Sequence, residues 1–236
     1  MKREILIERF FTSLISGDRS AARAVLDDVI AADCPPKKIL SHLFWPTLEK
    51  IQKLHRSDQL SDLAHHYAIR LLRMLTDQMQ LRLEAGQRRG TTVLVICGPD
   101  EPEELAAQMA ADLLEADGYH VFLGGGGIAK DELVAEIGRI QTDILVVFGS
   151  VPSTIPFTRL LIDRLHAIGV CPKLQVAVGG GVFNRADGLA EEIGADIWAK
   201  DPVDLVHIMA ENPHRRMSQD QRTVGRKRRG RRTAAA

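Results

Sequence analysis

The sequence predicts an α/β chain in two parts: an all-α bundle of four helices, then a doubly wound sheet of five parallel strands. Three observations carry this. Up to residue 87, apolar residues recur at three- and four-residue spacing, the period of an amphipathic helix. After Thr91, short runs of Val, Ile and Leu alternate with amphipathic stretches, the pattern of parallel strands buried on both faces. Between the two patterns lies "EAGQRRGTT", a polar linker.

In the first part, Ile5, Ile7, Phe10, Phe11, Leu14 and Ile15 mark one helix, and Ala22, Val25, Leu26, Val29 and Ile30 a second. "CPP" at 34–36 breaks the chain. "KKILSHLFWPTLEKIQKLH" is a third helix with Pro46 inside it, and a fourth runs from Ser61 to Leu83. Short loops make the four an antiparallel bundle, the domain expected over 1–87. In the second part the strands are "TVLVICG", "HVFLGG", "DILVVFGS", "LQVAVGGG" and "ADIWAK", each followed by a helix. This spacing fits a flavodoxin-like domain over 91–212 with strand order 2-1-3-4-5.

Composition excludes several classes. Apolar residues make up 45% of 236 residues, enough for a core, while aromatics at 5% make that core aliphatic. No apolar run is long enough to span a membrane, and the N-terminus lacks a signal peptide's apolar stretch. Cys34, Cys97 and Cys171 are odd in number, far apart and without metal-ligand spacing, which points to a cytoplasmic location. The net charge of zero conceals a division: residues 213–236 hold nine Lys/Arg against one Asp. A stretch that basic predicts a disordered tail able to contact nucleic acid through phosphates, or to fold back on the acidic body.

In a doubly wound sheet, ligands bind beyond the C-terminal ends of the strands, where the strand order reverses. The loops after the first and third strands, "CGPDEPEE" and "GSVPSTIP", flank that point, with "GGGVFNR" beside them. Ser150 and Ser153 offer hydroxyls, and Gly179, Gly180 and Gly181 let a ligand approach the backbone. "GGGG" at 124–127 matches neither a dinucleotide fingerprint nor a P-loop and reads as a close-packing turn. There is no nucleophile elbow, paired Cys or H-E-x-x-H, so no enzymatic chemistry is expected.

A helical bundle followed by this domain resembles the cobalamin (B12)-binding modules of methionine synthase, corrinoid methyltransfer proteins and B12-dependent regulators. "FGSVPST" at 148–154, with Ser150, Val151 and Ser153, looks like the family's serine loop, which contacts the buried nucleotide tail of the corrinoid. "VGGGVFN" at 178–184 looks like the Gly-Gly loop lining that tail's channel. "WPTLEKIQKLHRSDQLSDLAHHYAIRLLRM" resembles the cap segment over the corrin's upper face. The family's Asp-x-His-x-x-Gly, whose histidine ligates cobalt from below, falls on Glu101-Pro102-Glu103-Glu104-Leu105-Ala106, with Glu103 in place of the histidine. In the cap, the tryptophan that often covers the corrin appears as Leu54, with Trp45 nearby, and the Glu-His pair as His65-His66.

The stretch "GPDEPEEL" at 98–105 is therefore read in two ways. As a helix start it is complete: Asp100 caps the first free N–H groups, Pro102 suits the first turn, and Glu103 and Glu104 face the positive end of the dipole. As a cofactor loop it lacks its imidazole, and a carboxylate is a poor substitute on cobalt. Cobalamin would then bind without a histidine below; heme held by a cap histidine, or no ligand at all, are the alternatives. His65 and His66 are the candidate metal ligands. Adjacent helical residues point about 100° apart, so one at most faces the sheet, and the choice between them stays open. His55 is expected in solvent. The resemblance implies a corrinoid-binding sensor or regulator with a protein partner, or alternatively a corrinoid-carrying methyltransferase subunit.

Overall fold

A computed structural model describes residues 3–149 and 151–217. Its first part holds α1 (Arg3–Ile15), α2 (Arg19–Ala31), α3 (Pro36–Ile39), a π-helical turn (Leu40–Phe44), α4 (Trp45–Arg56) and α5 (Asp62–Gln80). The run from α3 through the π turn to α4 is the single third helix of the sequence reading. Pro46 explains the irregularity. It has no N–H to donate, so the carbonyl of His42 would be orphaned; that oxygen accepts from Arg3 Nε at 3.2 Å. α2 is capped by Asp18, whose side chain accepts from the N–H groups of Ser20 and Ala21.

The second part runs β1 (Thr92–Cys97), α6 (Glu101–Ala116), β2 (His120–Gly125), α7 (Lys130–Ile140), β3 (Ile144–Phe148), α8 (Thr154–Ile168), β4 (Gln175–Gly179), α9 (Gly181–Arg185), α10 (Leu189–Ile193), β5 (Ile197–Ala199) and α11 (Pro202–Glu211). All pairings are parallel and the order is β2-β1-β3-β4-β5. β1 and β3 thus lie side by side at the switch point, as the alternation of strands and helices predicts. The β1–β2 register shifts after Val95, so that Ile96 pairs with Gly125. This bulge steers the glycine run toward β1. A Cβ on Gly126 would lie 2.1 Å from the carbonyl oxygen of Gly98, so only glycine allows the approach.

Strand residues alternate between two cores. Leu94, Ile96, Leu145, Val147, Val176 and Val178 pack under α7, α8 and α10. Val93, Val95, Val146 and Phe148 face the other way and join α6, α11 and the bundle in one continuous core. The bundle and the sheet therefore share apolar burial. Trp45, 8% exposed, meets Phe148 edge-on with ring centroids 5.7 Å apart.

The first residues of the expected tail are docked rather than free. The Met217 N–H donates to Asp196 Oδ1 at 2.6 Å, and Gln175 Nε2 donates to the carbonyls of Asn212 and Arg215 at 2.8 and 3.0 Å. The remainder of the basic stretch, and with it the expected nucleic-acid contact, lies outside the described residues. Among those described, no helix is long and apolar enough to cross a membrane.

Candidate functional site

Glu103 sits in the first turn of α6, yet it does not face solvent as a helix-start carboxylate would. It is 1% exposed and turned into the crevice between β1 and β3. Its Oε1 accepts the backbone N–H of Val151 at 3.1 Å. Thr154 Oγ1 donates to the Val151 carbonyl at 2.8 Å, so both backbone polar groups of Val151 are held, each in its own peptide unit. The crevice is cut to the carboxylate: a Cβ on Gly98 would lie 1.7 Å from Glu103 Oε2, and one on Gly149 3.0 Å from Thr154 Oγ1. The capping expectation for Asp100 is corrected as well. Asp100 occupies the N-cap position, but its side chain makes no cap bond; its backbone carbonyl accepts from the N–H groups of Glu103 and Glu104.

The outer carboxylates of this turn meet the bundle. Arg73, on α5, donates through Nη2 to the Glu101 carbonyl at 3.1 Å and approaches Glu104 Oε2 at 3.4 Å. Its Nε lies 3.9 Å from Glu101 Oε1. Sequence reasoning missed Arg73. A signal existed: a guanidinium on a largely apolar helix face, and three carboxylates at the start of another helix.

The two cap histidines part company. His65 is buried at 9% exposure and His66 is exposed. Against expectation, His55 is half-buried: its ring stacks on His65 at 3.9 Å, and its Nε2 lies 2.9 Å from Asp62 Oδ1. Desolvation holds the His65 pKa below its ordinary value, with His55 and His66 acting in the same direction and Asp62 and Glu101 opposing them. Among the described residues, His65 Nε2 has no hydrogen-bond partner. Leu54 is half-buried against the bundle core.

The loops at the switch point enclose a cavity of about 380 Å³, within the range of small-molecule sites. Ile96, Val147, Ile128 and Phe157 supply apolar lining, and Gly98, Gly125, Ser153 and Thr154 line it as well. Cys97 also lines it; burial, with Glu104 and Glu103 nearby, pushes its thiol up to about 12, so it stays protonated. Ser150 lies outside the described residues. Of the Gly-Gly loop, Gly179 ends β4, where a Cβ would lie 2.6 Å from the Phe148 ring, and Gly180 takes φ +101° against Gly149. Gly181 opens α9 and lines a second space, of about 580 Å³, between α4 and α9, shared with Trp45 and Ala106.

These features test the fit of a corrinoid. A glycine-lined, largely apolar cavity at the switch point suits a heterocyclic tail, and a separate cleft lies between cap and sheet. The position matched to the axial imidazole holds a carboxylate already engaged by Val151. The residues fit a corrinoid held by shape, with no imidazole supplied from the first turn of α6. Among the described residues, no group of three or more His, Cys, Asp or Glu is placed to hold a metal by itself.

Comparison with known proteins agrees. One B12 binding domain model matches residues 91–206 and a second matches residues 6–79. A corrinoid protein of Desulfitobacterium hafniense (strain Y51) is 27% identical over 126 residues, which is 53% of this chain and 57% of that protein. The match thus spans little more than half the length of that relative. The monomethylamine corrinoid protein of Methanosarcina barkeri superposes with a TM-score of 0.78 over 88% of this chain and 98% of its own, at 14% identity, a likeness of fold. The matches are to B12 binding domains and lend no support to heme. With the two models spanning both the bundle and the sheet, the chain belongs to the cobalamin (B12)-binding domain family.

Proposed function

We propose that this chain is a corrinoid carrier subunit of a methyl-transfer system, non-catalytic by itself, that holds its cofactor without a histidine on the lower face. The observation that carries the corrinoid is the glycine-lined cavity at the β1/β3 switch point, in a sheet whose other face shares a common core with the cap. The carrier role draws support from the two B12 binding domain matches and from the relative described as a corrinoid protein.

When bound, the cofactor would supply a cobalt centre able to accept and release a methyl group. The residues of this chain would do the rest. Ser153, Thr154 and Val151 would border the tail, Gly179 and Gly180 would let β4 pack closely on Phe148 and Gly149 beside it, and Trp45 and Leu54 would belong to the covering cap. Glu103 would order the loop after β3 rather than bind metal. His65 is the cap histidine turned inward and so the one able to reach a ligand.

Expression with B12 available, followed by cobalt analysis of the purified protein, tests the corrinoid. Cobalt near one per chain with a coloured protein is expected; a colourless, cobalt-free protein that also fails to take up added corrinoids overturns it. Passage of a methyl group from the loaded protein to a thiol acceptor tests the carrier. A regulator reading is favoured by the basic composition of residues 213–236, and retention of the methyl group together with salt-sensitive nucleic-acid binding would favour it.

A further inference from the structure

The cleft of about 580 Å³ between α4 and α9 has an uneven lining. Its floor is Trp45, Leu48, Ala106 and Gly181, apolar side chains and bare backbone. Its rim carries Lys53 and Arg56 from the cap and Arg185 from the sheet domain. Lys50 also borders it, but its ammonium is engaged by Glu8 and lies 4.2 Å from the Phe11 ring centroid. Glu49 is the carboxylate among the described lining residues.

The charges are arranged against each other. Burial lowers the Arg56 pKa first, and Arg185 lowers it further, so cations of the two domains repel across the opening. Among the described residues, Arg56 makes a long contact on its own helix, Nη1 to Gln52 Oε1 at 3.4 Å. Burial raises the Glu49 pKa, with Asp201 adding to it, while Arg56 opposes both; Arg56 thus favours an ionised carboxylate beside it, and Glu49 in turn offsets part of the lowering at Arg56. A guanidinium presents a planar fork matched to a carboxylate. An anion seated between the two arginines would replace repulsion by attraction on both sides. Ala106 and Gly181 tie the cleft to the corrinoid: they occupy the positions matched to the glycine of the ligand motif and to the Gly-Gly loop.

We infer that this cleft receives ionised side-chain carboxylates at the edge of the macrocycle, so that the chain prefers corrinoids bearing free acids over fully amidated ones. The inference rests on the corrinoid reading above and specifies its ligand class.

The test compares hydroxocobalamin with the monocarboxylic acids made from it by partial hydrolysis, which keep the same ring and tail. Affinities for the full chain are read by absorbance titration at two salt concentrations. At least one acid should bind about threefold to tenfold more tightly than the amide at low salt, and the gap should shrink as salt rises. Arg56→Gln with Arg185→Gln should cancel the gap. Both side chains are exposed, and a melting curve confirms that the variant folds; Lys53→Gln serves as an independent second variant. Equal affinity for acids and amide, or a preference untouched by all these substitutions, overturns the inference while leaving corrinoid binding intact. Failure of every corrinoid to bind overturns the corrinoid reading itself.

Discussion

The backbone N–H of Val151 donates to Oε1 of Glu103 at 3.1 Å, so the first turn of α6 is tied to the loop that follows β3. The two loops that flank the switch point are thereby held by one carboxylate that is 1% exposed. Removing it leaves a half-buried N–H without this acceptor. Glu103→Ala should lower stability by about 1–3 kcal/mol in a urea melt, whereas Glu103→Gln, which keeps an acceptor, should cost less than half as much. Equal losses would show that packing, not the bond, matters there.

Arg73 joins cap to sheet through Glu101 and Glu104, but Glu104 is 41% exposed, so solvent screens the pair. A double-mutant cycle of Arg73→Met and Glu104→Gln should give a coupling of about 0.5 kcal/mol. Arg73→Met alone should cost more, about 1–2 kcal/mol, because the Glu101 carbonyl also loses its donor. A single-mutant cost no larger than the coupling would contradict this.

Trp45 seals the cap against Phe148. Trp45→Ala should destabilise the chain by about 3 kcal/mol, as large-to-small changes at buried aromatics do. In a Trp198→Phe background Trp45 is the remaining tryptophan, so corrinoid binding should quench its emission in proportion to occupancy. Emission unchanged at saturation would place the cofactor away from the cap.

Asp112, on α6 and 3% exposed, has an Oδ2 with no hydrogen-bond partner among the described residues. Burial, then the charges of Glu115 and Asp77, push its pKa up to about 7. The folded state therefore holds a proton that the unfolded state releases near pH 4, and stability falls as pH rises from about 4 to 7. Asp112→Asn should flatten that slope and gain on the order of 2–4 kcal/mol over the wild type at pH 8, with little difference at pH 4. A pH-independent effect would refute the assignment.

His65 acts in the opposite direction. Its folded pKa is lowered, chiefly by desolvation, so the unfolded chain binds a proton that the native chain refuses. Stability is lost as pH falls below about 6.5, the ordinary histidine value. His65→Gln should reduce the loss between pH 7 and pH 5; an unchanged acid limb would contradict it.

The sheet was legible because its signal is local. Near-continuous Val, Ile and Leu runs identify parallel strands, and short crossovers then leave few strand orders. The cap was equally plain apart from the π turn, where a lone Pro46 inside a helical pattern shows a kink but not its form. The site was harder. Glu103 satisfies every rule for an exposed helix start, and what turns it inward is nonlocal: Gly98 and Gly149 leave space, and the Val151 N–H supplies a donor 48 residues away. His55 and His65 are likewise ten residues apart in sequence, and only the packing of α4 on α5 stacks them. Arg73 was hidden for the same reason, since its partners lie on another domain.

The most direct measurement is an absorbance titration of the purified chain with hydroxocobalamin at pH 7. One saturable site is expected, with a bound spectrum that Glu103→Gln leaves unaltered because that side chain does not ligate cobalt. No saturable change, or a bound spectrum that depends on the Glu103 carboxylate, would contradict it.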